Sequence, residues 1–161
     1  MQDDVLEQFE DLIVEFEGLQ RRIQKIRRLE ARMPTAVYDR LRDALEHEST
    51  TLLTRLLPRM VDVEDEVTEI AGECNRVRKA SAKARERIQE VELRELIGEA
   101  SNDETREIQE KYGELARRAE ERLGELADAI DARRDPLQRW ETLGQAADIL
   151  LDDADDDLVL D

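Results

Sequence analysis

The sequence predicts an all-α fold: an elongated antiparallel coiled-coil hairpin with additional N- and C-terminal helices that form a small helical bundle. Three observations carry this prediction. Ala, Glu, Lys, Leu and Arg supply 86 of the 161 residues, the composition of long helices rather than of a sheet. Six Gly and three Pro are too few turn formers for a many-stranded architecture. Apolar residues recur at alternating spacings of four and three, which keeps one stripe of a helix turned toward a partner helix.

The first helix is expected over residues 3–32. Val5, Phe9, Leu12, Phe16, Leu19, Ile23 and Ile26 form its seam, and Leu6 and Ile13 widen the stripe enough to touch more than one neighbour. Residues 1–20 hold seven acids and no base, whereas residues 21–32 hold six bases and one acid. That polarity suits the helix dipole and favours an antiparallel partner.

Met33-Pro34 ends this helix, because the residue before proline disfavours the α conformation. A second helix is expected over 35–57 with Thr35 as its cap and Tyr38, Leu41, Leu45, Leu52 and Leu56 on one side. Its centre, Glu48-Ser49-Thr50-Thr51, lacks strong helix formers, and Pro58 is expected to break or kink the chain.

The most regular segment follows, a helix over 60–97. Its seam runs through Met60, Val63, Val67, Ile70, Cys74, Val77, Ser81, Ala84, Ile88 and Val91. Gly98 can take the left-handed conformation that stops a helix. Ser101 and Glu104 have the spacing of a capping box, so a further helix is expected over 102–134. Ile108, Tyr112, Leu115, Ala119, Leu123, Leu126 and Ile130 mark its apolar face. Two helices of similar length joined by a short turn read as an antiparallel hairpin. Asp135-Pro136 has the form of a cap followed by a first helical residue, giving a last helix over 136–151. Residues 1–151 are therefore read as one helical domain. Residues 152–161, with six acids and no base, are read as a disordered acidic tail.

The net charge of −17 makes nucleic acid and anionic lipid poor partners. No apolar run reaches the roughly 18 residues of a membrane span, so stable membrane insertion is not expected. The first residues carry acid where a signal peptide carries base, and a single cysteine fits a reducing compartment. A cytoplasmic location is the expectation. His47 and Cys74 are the only soft metal ligands and stand far apart, so neither a metal nor a cofactor is expected. One histidine, no glycine-rich phosphate loop and no aromatic cluster argue against an enzyme.

Two features remain as candidates for binding. Asp155, Asp156, Asp157, Leu158, Val159 and Leu160 join an acidic run to an apolar triplet, which a groove with basic walls and an apolar floor would read. Arg76, Arg78, Lys79, Lys83, Arg85 and Arg87 form a basic cluster, suited to an acidic partner or to internal pairing with the acidic half of the first helix. The leading expectation is a non-enzymatic adaptor or scaffold that binds a protein partner and forms a homodimer, since long helices poor in aromatics gain core by association. An acidic chaperone or inhibitor of a basic partner is a further alternative. A long hairpin with added helices also resembles the architecture of filament formers of the ESCRT-III and phage-shock kind. That resemblance implies a self-assembling or membrane-remodelling role instead.

Overall fold

The protein is described by a computed structural model over residues 2–156, with side chains described over residues 4–146. The described residues form three α-helices: α1 (Gln2–Leu29), α2 (Thr35–Leu96) and α3 (Asn102–Asp156). A short 3₁₀ turn, Glu30–Arg32, follows α1. The described residues contain no strand, and the fold is all-α. They divide into two compact units, one holding residues up to 65 together with those from 133 onward, the other residues 66–132.

The first unit packs α1 against the first half of α2 and the last part of α3. Phe9, Ile13, Phe16, Leu19, Leu56 and Val63 are its most deeply buried side chains. Both the α1 seam and the widening residue Ile13 are thus spent on the core. Arg22 of α1 meets Glu48 of α2 at 3.1 Å, while the acidic half of α1 brings Asp11 and Glu15 beside Arg55 and Arg59. The charge polarity of α1 is therefore matched by an antiparallel neighbour. On its other side, Glu17 is held by Arg139 of α3, with Nη2 to Oε2 at 2.6 Å. That contact raises the Arg139 pKa further above its ordinary value.

Pro58 and Pro136 both lie inside continuous helices, so the expected break at 57–60 and the expected restart at 136 are not observed. An interior proline costs roughly 3 kcal/mol. Burying Leu56 and Val63, one on each side of Pro58, returns about 1.5–3 kcal/mol apiece only if the helix carries both onto the same core. The packing wins. The weak centre of this helix is helical too: Leu45 and Leu52 on either side of it are buried in the core, and the hydroxyls of Thr50, Thr51 and Thr54 turn back to the carbonyls of Glu46, His47 and Thr50. At its start, Pro34 accepts the amides of Val37 and Tyr38, so Pro34 rather than Thr35 occupies the cap. The first helix ends three residues short of the expected 32, its last turn tightening to 3₁₀.

The second unit is a helical hairpin, residues 66–96 of α2 folded back on 102–132 of α3. Every seam position from Val67 to Val91 is buried or half-buried. The turn has the hydrogen bonds of a Schellman motif: the Glu99 amide donates to the Arg94 carbonyl and the Gly98 amide to that of Glu95. Gly98 takes φ +80°, as its role as stop requires. Ser101 Oγ accepts the Glu104 amide at 3.2 Å, which caps α3. One seam position differs. Leu115 is exposed, and half-buried Ala116 takes its place, giving α3 a regular alternation Tyr112, Ala116, Ala119, Leu123, Leu126.

Of the tail expected over 152–161, residues 152–156 continue α3 as far as Asp156. Residues Asp157, Leu158, Val159 and Leu160, and the side chains of Asp155 and Asp156, lie outside the described residues.

Candidate functional site

Three surface features stand out. In the first unit, α1, α2 and α3 leave a cleft of about 450 Å³ beside the core. Ile23 and Ile26 of α1 and Leu45 and Leu53 of α2 form its apolar floor, and Phe16 and Trp140 close one end. Gly144 of α3 contributes no side chain to the wall. Arg27 and Arg42 stand on the rim with Glu46. Arg42 lies over the Tyr38 ring at 5.8 Å, within the range of a cation–π contact. Its carboxylate contacts, to Asp39, Asp43 and Glu46, are long at 3.5–3.8 Å. Among the described residues Arg27 has no carboxylate within ion-pair distance.

The second feature is the hairpin tip of the second unit. Leu93, Leu96 and Ile97 are 63 %, 82 % and 71 % exposed. Glu95, Glu99 and Asp103 stand at the same tip without a cation in reach among the described residues. Sequence reasoning missed these three aliphatic residues by assigning them to the end of a helix. The signal was present: after Ile88 and Val91 the four-three alternation continues to Glu95 and Gly98, so Leu93, Leu96 and Ile97 all fall off the seam.

The basic cluster is the third feature, and α2 splits it. Arg76, Lys79, Lys83 and Arg87 share one stripe at spacings of three, four and four, about 16 Å long. Arg78 and Arg85 lie on a different line. Arg85 pairs with Glu120 across the hairpin, and Arg87 with Glu90 on its own helix. Among the described residues Arg76, Arg78, Lys79 and Lys83 meet no carboxylate. The carboxylates that reach this cluster, Glu120 and Glu90, belong to the second unit. Elsewhere in the hairpin Arg122 bridges Glu73 at 2.8 Å and Glu125 at 3.0 Å, which raises its pKa.

His47 lies exposed on α2 and Cys74 is buried in the second unit. Among the described residues no group of three His, Cys, Asp or Glu side chains could hold a metal ion, and no helix is long and apolar enough to cross a membrane. Comparison with protein-family models, with curated proteins and with solved structures finds no match.

Proposed function

We propose that the protein is a non-enzymatic helical adaptor that binds a protein partner through exposed helix faces, acts in the cytoplasm and forms a homodimer. The observation that carries this reading is the hairpin tip. Three large aliphatic side chains on one turn are left in water, where burying each would gain about 1.5–3 kcal/mol. A chain that places Leu96 and Ile97 outside its own seam gains nothing from them until a partner covers them. The surrounding carboxylates favour a partner whose apolar pocket has a basic rim, with charge speeding the encounter and the aliphatic contact setting the lifetime.

Affinity capture from the native host tests this, using the full chain beside the L93S/L96S/I97S variant. All three positions are exposed, so the variant keeps its helices, which circular dichroism checks. The expected result is a specific protein retained by the unaltered chain and lost from the variant. Identical capture by both chains rejects the tip as the binding surface.

A further inference from the structure

We propose that the homodimer pairs the hairpins of two copies, α2 running antiparallel to α2 along the face turned away from the seam. This rests on the dimeric reading above and names its contact. Side chains are described for every residue of the second unit. The outward face of its α2 carries Arg76, Lys79 and Lys83, then Glu86 and Glu90, all exposed. A basic block followed by an acidic block sets like charges four residues apart, Lys79 with Lys83 and Glu86 with Glu90, and such pairs repel on a single helix. On α3 the same spacing joins opposite charges, Glu114 to Arg118 and Arg117 to Glu121. Among the described residues Arg76, Lys79, Lys83 and Glu86 meet no opposite charge, and Glu90 reaches only Arg87 and Arg94 of its own helix.

An order of charge that repels within one helix is complementary across two antiparallel copies. A two-fold axis between Ala84 and Arg85 sets Lys79 opposite Glu90 and Lys83 opposite Glu86, and each pair forms twice. The ends of the face fit in the same register. Leu93 and Ile97, 63 % and 71 % exposed, come opposite Arg76, whose stem is apolar, and Gly72, which has no side chain. The paired face runs about 38 Å, from Gly72 to Ile97. Moving one copy by a heptad sets Glu86 against Glu90, or in the other sense Lys79 against Lys83. A parallel pairing in register sets each charge beside its own kind. Charge therefore selects both the direction and the register. Leu96 points about 100° away from Ile97 on the helix and stays open to a protein partner.

Sedimentation velocity of the full chain over a range of concentrations tests this contact. The unaltered chain is expected to dimerise, less tightly as salt is added. K79E/K83E and E86K/E90K, one with an all-acidic centre to the face and the other all-basic, are each expected to weaken self-association at least about tenfold. Mixing the two variants is expected to restore a dimer, because every opposed pair is then of opposite sign. Circular dichroism checks that each variant keeps its helices. A chain that stays monomeric at every concentration overturns both this contact and the dimeric reading. A dimer indifferent to either variant overturns the contact alone, as does a mixture that fails to associate. None of the four substituted positions is a tip aliphatic, so the capture experiment on the tip reads the adaptor proposal separately.

Discussion

The ring of Trp140 meets that of Phe16 edge to face, with centroids 5.0 Å apart and planes at 75°. This is the favoured geometry for two aromatic quadrupoles. It joins the first helix to the last across more than 120 positions of sequence. Leu137 and Leu143 pack on the same core from either side of Trp140.

Replacing Trp140 with Ala removes the largest side chain that α3 places in this core and is expected to destabilise the protein by about 3–5 kcal/mol. W140F keeps an aromatic edge and is expected to cost less than half as much. Urea unfolding followed by circular dichroism measures both. Fluorescence cannot serve, because Trp140 is the chain's one tryptophan. Equal losses for the two variants would show that the edge-to-face contact contributes little.

Glycines of the second unit offer a test in which the sign changes with position. Gly98 sits at φ +80° with open space where a Cβ would be, so G98A meets strain from the backbone alone, roughly 1–2 kcal/mol. G98N is expected to cost less, since Asn tolerates the left-handed region better. Gly113 and Gly124 are helical and equally open. G113A and G124A are therefore expected to stabilise by about 0.5–1 kcal/mol each. Thermal unfolding of the four variants checks the sign at each position.

The seam from Met60 to Val91 was legible in the sequence because burial along a helix repeats with a fixed period. Gly98 and Ser101 were legible because a stop and a cap are local chemistry. Pro58 and Pro136 were misread for the opposite reason. Their cost is local, but the burial of Leu56, Val63 and Trp140 that offsets it depends on the tertiary core. Leu115 was misassigned because apolar character outweighed phase; the smaller Ala116 holds the seam. The cleft was illegible, since it exists only where three helices that are distant in sequence converge. The six cations read as one cluster form two lines, because consecutive positions on a helix point 100° apart.

Pro58 leaves the Thr54 carbonyl without the amide it would receive in an unbroken ladder. P58A restores that donor on an exposed position and is expected to stabilise the protein, by up to about 3 kcal/mol. Chemical denaturation measures the change. A loss of stability instead would mean that the local geometry Pro58 imposes is what brings Leu56 and Val63 onto the same core, so that restoring a regular helix misaligns them. The two outcomes separate a tolerated proline from a shaping one.

On α3, Glu114 accepts hydrogen bonds from Arg117, Nη2 at 2.6 Å and Nε at 3.0 Å, and from Arg118 Nε at 3.2 Å. The Arg117 bond is the main cause of a carboxyl pKa lowered from its ordinary 4.5 to about 2; partial desolvation opposes it and the Arg118 charge adds to it. A carboxylate with a depressed folded-state value stabilises the fold at pH above 4.5, and that contribution is lost as pH falls from 4.5 toward 2. The group is on the surface, so the effect on global stability is expected to be small and to shrink with added salt. The local effect is the sharper readout. A carbon-13 NMR titration of the Glu114 carboxyl is expected to show a midpoint near 2, and R117A is expected to return it most of the way to 4.5. A midpoint unchanged by R117A would assign the shift to Arg118 and the helix backbone instead.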